Sequence, residues 1–124
     1  MRGNVAIGHT RYSTTGATTW ENAQPMFRSI GEDTGVALAH NGNLVNTTAL
    51  KRRAVQLGIM PENELAGCAS DTDVVASLLA HTAVNGGLEE AALHLLPKVE
   101  GAFCFVMCDT CRLYTSPSPR DATL

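Results

Sequence analysis

Three places in this 124-residue chain hold residue types that can do chemistry together. Arg11 lies within Gly8-His9-Thr10-Arg11-Tyr12-Ser13-Thr14-Thr15-Gly16, just after the apolar run Val5-Ala6-Ile7. Its guanidinium is a planar fork of donors matched to a carboxylate. Asn41-Gly42, in His40-Asn41-Gly42-Asn43, follow the apolar run Val36-Ala37-Leu38-Ala39. A side-chain amide next to a backbone N–H with no Cβ in the way makes a pair of neutral donors. Asp71, in Ser70-Asp71-Thr72-Asp73, supplies an anion suited to an ammonium group. A cationic fork, an anion and two neutral donors suit an α-amino acid whose carbonyl is to be polarised. The two donors would form an oxyanion hole for acyl transfer, a device worth about 3 to 4 kcal/mol per donor in enzymes that use one. Each residue alone also has a plainer reading: Arg11 as a surface ion pair, Asn41-Gly42 as a turn, Asp71 as a favourable charge at a helix start, His9 and His40 as core histidines. The combination favours the site.

The elements that must position these residues follow from apolar spacing. Residues 2–14 read as a strand and a polar loop, 15–28 as an irregular connection, 29–34 as a polar turn, and 35–40 as a second strand ending before Asn41-Gly42. Asn46 or Thr47 is the expected N-cap of a helix with Ala49, Leu50, Ala54 and Leu57 on one face and Gly58 as its stop. Ser70 is the expected N-cap of a second helix, with Asp71 and Asp73 at the positive end of its dipole and Val74, Val75, Leu78 and Leu79 on its apolar face. A third helix, Leu88 to Leu96, lies between Asn85-Gly86-Gly87 and Pro97. The apolar strand 102–108 follows, with Arg112 to Tyr114 as a hairpin partner across Asp109-Thr110. The domain is expected over 1–114. Residues 115–124, with two prolines and no apolar period, read as a non-native, adapter-derived tail.

Composition bounds the function class. A formal charge of -3 with 44% hydrophobic and 17% charged residues describes an ordinary globular chain. Lys51-Arg52-Arg53 is one solvated cluster, so no nucleic-acid partner is expected. No run of about eighteen apolar residues predicts a membrane span, and no secretory signal is evident. The expected location is cytoplasmic, with Cys68, Cys104, Cys108 and Cys111 as reduced thiols. Paired CxxC units are missing, so no metal site is expected. Period two puts Cys104 on a face with Ala102 and Val106, as a small buried hydrophobe.

Four segments, Gly8 to Thr14, Asn22-Ala23-Gln24-Pro25, Ala39 to Asn46 and Ser70-Asp71-Thr72-Asp73, together resemble the glutaminase domain of the amidophosphoribosyltransferase family in order and spacing. The resemblance covers residues 2 to about 114. Tyr12 and Asn43 are similar to that family, where the related glucosamine-6-phosphate synthase amidotransferases usually have Trp and Ile. It implies an α+β N-terminal-nucleophile fold of αββα layering, two facing sheets between helical layers, here incomplete. It implies glutamine as substrate, with Arg11 on its carboxylate, Thr14 as a subsidiary contact, Asp71 on its amine, and Asn41 and Gly42 as the oxyanion hole. Family members hydrolyse glutamine and pass ammonia to phosphoribosyl pyrophosphate, giving phosphoribosylamine at the start of purine synthesis.

The family's nucleophile is an N-terminal cysteine whose own amine accepts the proton. Here the sequence opens Met1-Arg2-Gly3 and its first cysteine is Cys68, so the expectation is an internal fragment without that nucleophile and without glutaminase activity of its own. No cofactor is expected in the fragment. Mg²⁺, and the iron–sulfur cluster of some members, would belong to the part of the parent beyond it, and the parent is expected to be a homo-oligomer. Two alternatives remain at this level: a non-catalytic glutamine-binding module, and the amidotransferase domain of a glucosamine-6-phosphate synthase-like enzyme.

Overall fold

The longest unbroken ladder pairs two stretches of alternating apolar residues, Thr34–Leu44 and Gly101–Cys108. The computed structural model describes residues 5–10, 23–32, 34–63 and 70–109, with the backbone of 113–115. Within these, β1 (Met26–Ile30), β2 (Thr34–Leu44), β3 (Gly101–Cys108) and β4 (Leu113–Thr115) form one antiparallel sheet in the order β1-β2-β3-β4. The register sets His40 opposite Phe105, Leu38 opposite Met107 and Met26 opposite Leu38. Side chains of a strand alternate between faces, so Met26, Val36, Leu38, His40, Phe105 and Met107 share one face, and all six are buried.

That face is covered by α2 (Asp71–Leu95), whose Val74, Val75, Leu78 and Leu79 join the same apolar cluster. Burying a side chain the size of Leu38 or Phe105 contributes about 1.5–3 kcal/mol, so this layer is the core. The Ser70 hydroxyl accepts from the Asp73 N–H at 3.2 Å, as the sequence predicts for an N-cap. Gly87, at φ 83°, breaks the helical path within α2, which is where Asn85-Gly86-Gly87 predicts the start of a separate helix. α1 (Thr47–Gln56) packs on α2 through Leu50 and Ala54. It ends as expected at Gly58, whose N–H donates to Val55 O while Ile59 N–H donates to Ala54 O. This is the Schellman arrangement, and the φ of 74° at Gly58 suits a residue without a Cβ.

Several expectations change. β2 does not stop before Asn41-Gly42 but runs through them to Leu44, because β3 is long enough to pair with the whole stretch. Gly42 sits at φ 138°, and a Cβ there would collide with the Ala102 carbonyl oxygen. The glycine serves a close approach of two strands rather than a turn. Residues 26–30, expected to be irregular and turn-like, are β1. The inward Arg28 hides the period of Met26 and Ile30, and it is matched by the Asp73 carboxylate and by Ser77 Oγ at 3.3 Å on α2. Residues 5–7 form no ladder with the described strands, and Val5 is exposed. Asn46 is the N-cap of α1, one of the two residues expected there, but its side chain does not cap the helix; it accepts from Glu100 N–H at 3.0 Å and donates to Lys98 O at 2.7 Å. Ala49 is exposed. Cys104 is half-buried on the face opposite the core, where the buried positions are Phe105 and Met107. The predicted hairpin after 108 is present as β4, which includes Thr115 opposite Val106, one residue into the expected tail.

Gly42→Ala is therefore expected to lower stability by about 3 kcal/mol, because backbone strain and a backbone collision coincide. Urea unfolding followed by circular dichroism measures this, and a change below about 0.5 kcal/mol would contradict the strand geometry.

Candidate functional site

Asp71 is the first residue of α2, and its carboxylate lies against the segment of β2 that carries Asn41 and Gly42. Its Oδ1 accepts from the Thr72 N–H at 2.8 Å, and its Oδ2 from the Leu44 N–H at 3.5 Å. Oδ1 is also 3.6 Å from His40 Nδ1. The two β2 residues that meet Asp71, His40 and Leu44, thus flank Asn41-Gly42-Asn43. Fold topology brings the expected amine ligand and the expected oxyanion donors to one place, although they are remote in sequence. Asn41 and Gly42 are exposed there. Asn41 lies opposite Cys104 in the register.

Burial pushes the Asp71 carboxyl upward, but His40, whose Nδ1 lies 3.6 Å away, and the N–H groups of Thr72 and Leu44 outweigh it. The net position is below the ordinary 3.8. A carboxylate held ionised beside an open strand segment can receive a cation. Cys108 is different: burial first, and Asp109 second, raise its thiol above 9.0, which disfavours a reactive thiolate.

The first motif is attached at the same place. His9 Nε2–H donates to the His40 carbonyl at 3.2 Å, and Gln24 Oε1 accepts the His40 N–H at 2.7 Å. These two side chains continue the β2 edge where β1 has ended. Arg11 and Thr14 lie outside the described residues. The roles of His9 and Gln24 are not evident in the sequence, because a side chain standing in for a strand leaves no period. The burial of His40 was legible from its alternation with Val36 and Leu38. Its contact with Asp71 was not. Among the described residues no three of His, Cys, Asp or Glu are grouped to hold a metal, and no helix is long and apolar enough to cross a membrane.

The profile of the glutamine amidotransferase domain matches residues 9–116. The chain belongs to this family. It is 55% identical over 119 residues to the amidophosphoribosyltransferase of Mycobacterium leprae, covering 96% of this chain and 21% of the relative. The Bacillus subtilis amidophosphoribosyltransferase is 33% identical over 119 residues, covering 96% and 24%. The solved B. subtilis glutamine phosphoribosylpyrophosphate amidotransferase, complexed with ADP and GMP, matches with TM-score 0.69 and 31% identity over 87% of this chain and 22% of its own. The chain therefore spans about a fifth to a quarter of these relatives. The likeness identifies the fold as the N-terminal-nucleophile amidotransferase fold, of which the described sheet and the helices packed on it are a part.

The depressed carboxyl of Asp71 has a consequence for stability. With its folded pKa below the unfolded value, its contribution is fully present above that unfolded value and is lost as the pH falls through the folded one. The stability gap between the wild-type chain and Asp71→Asn should be constant near neutrality and shrink from about pH 5 downward. Denaturant melts at a series of pH values test this; a gap that widens on acidification would show that the carboxylate is not favoured by its surroundings.

Proposed function

We propose that this chain is the glutamine-binding part of an amidophosphoribosyltransferase. Asp71 holds the substrate's α-ammonium, Arg11 its α-carboxylate with Thr14 beside it, and Asn41 with the Gly42 N–H stabilises the oxyanion formed at the amide carbon. The observation that carries the reading is the ionised Asp71 carboxylate seated between His40 and Leu44, alongside Asn41-Gly42. An amino acid bridging these groups would have its charged end fixed while its side-chain amide meets neutral donors. This is differential stabilisation of the kind acyl transfer requires. The match to the glutamine amidotransferase domain and the likeness to amidophosphoribosyltransferases support glutamine as the substrate and phosphoribosyl pyrophosphate as the ammonia acceptor of the whole enzyme.

In this proposal Mg²⁺, and an iron–sulfur cluster where one exists, belong to the remainder of the enzyme. The whole enzyme is a cytoplasmic homo-oligomer acting at the entry to purine synthesis.

Calorimetric titration of the chain with L-glutamine tests the assignment. Saturable binding is expected, weakened about tenfold or more in Asp71→Asn, since a hydrogen bond to a charged group contributes about 1.5–3 kcal/mol. Unchanged affinity in a folded Asp71→Asn variant, or no saturable binding by the folded wild-type chain, would overturn it.

A further inference from the structure

His40 is 5% exposed, yet it occupies a core position otherwise held by Val36, Leu38, Phe105 and Met107. A buried imidazole amid apolar neighbours is costly unless its nitrogens are used. Its ring packs on Phe105 with centroids 4.7 Å apart. Nδ1 is 3.4 Å from Thr72 Oγ1 and 3.6 Å from Asp71 Oδ1, and Thr72 Oγ1 is itself 3.4 Å from Asp71 Oδ1. Nε2 is buried with no partner among the described residues. Among the described residues this geometry favours a proton on Nδ1. A proton on Nε2 would bury a donor without an acceptor among the described residues and turn the Nδ1 lone pair toward a carboxylate. A proton on Nδ1 has the Thr72 hydroxyl within reach at 3.4 Å, and that hydroxyl donates to Asp71 Oδ1.

We propose that His40 is a positioning residue for substrate ammonium recognition, acting through a chain from His40 Nδ1–H to Thr72 Oγ1 and from the Thr72 hydroxyl to Asp71 Oδ1. The inference rests on the reading that Asp71 receives the glutamine ammonium. The chain leaves Oδ2, held by the Leu44 N–H, as the oxygen with capacity for a ligand. Because the Asn41-Gly42 donors follow His40 directly in β2, one residue links the geometry of the substrate's amine end to that of its amide end. The backbone of His40 is fixed by Gln24 and His9, so the ring is carried on a held frame. Thr72 is fully buried, and among the described residues its hydroxyl meets His40 and Asp71.

The test compares two ligands on the full chain, L-glutamine and glutaramate, which is glutamine without its α-amino group. His40→Phe keeps a ring and removes the donor. It should weaken L-glutamine about tenfold and leave glutaramate within about twofold. His40→Asn, which places an amide N–H near the Nδ1 position, should restore most of the loss. Thr72→Val interrupts the chain while keeping the imidazole and should reproduce the selective loss, so the test survives if His40→Phe fails to fold. Equal weakening of both ligands would show a merely structural histidine and overturn the proposal, as would an unchanged L-glutamine affinity. Asp71→Asn run alongside separates the two levels. If it does not discriminate between the ligands, the ammonium assignment itself fails. If it discriminates and neither the His40 nor the Thr72 variant does, only the positioning role fails.

Discussion

The pairing of β2 with β3 is the constraint on which the rest of the structure depends. Its register, from Ala37 opposite Cys108 to Leu44 opposite Gly101, decides which residues face α2. A slip of one residue would carry Leu38, His40, Phe105 and Met107 to the other side of the sheet. The core would lose its largest members and Asp71 its neighbour at once. Glycines hold the far end of the ladder in place: Gly42 approaches Ala102, and a Cβ on Gly101 would lie 2.5 Å from Asn43 O. Sheet stability and site geometry therefore share one cause.

Helix starts, helix stops and the buried face of α2 were legible in the sequence because they depend on local chemistry. A hydroxyl three residues before an N–H, a glycine after an apolar stripe and a period near 3.6 carry their own meaning. Ser70, Gly58 and Val74 to Leu79 behave accordingly. The strands were less legible. β1 was hidden because its central inward residue is a cation whose partner, Asp73, lies 45 residues away. The continuation of β2 through Asn41-Gly42 was hidden because an Asn-Gly pair reads as a turn until its long-range partner is known. On β3 the alternation was visible, but not which of its two faces would be covered.

The candidate site divides along the same line. Asn41, Gly42 and Asp71 could be named from residue type and family resemblance, and the structure brings them to one stretch of sheet. What no one-dimensional pattern shows is how the carboxylate is held. The groups around Asp71, two backbone N–H donors and one imidazole, come from β2 and from the start of α2 itself. Burial of a carboxylate is unfavourable by itself, and here those donors reverse its sign.

Among the described residues, His9 joins the sheet through a side chain, not through a ladder, and such a bond lacks the cooperativity of a strand pairing. A backbone ladder opens cooperatively, whereas one half-buried imidazole-to-carbonyl bond contributes only about 0.5–1.5 kcal/mol. Detachment of His9 leaves every described strand pair intact. Two kinds of attachment thus differ in scale: the cooperative β2–β3 core, and the single bond by which His9 meets His40.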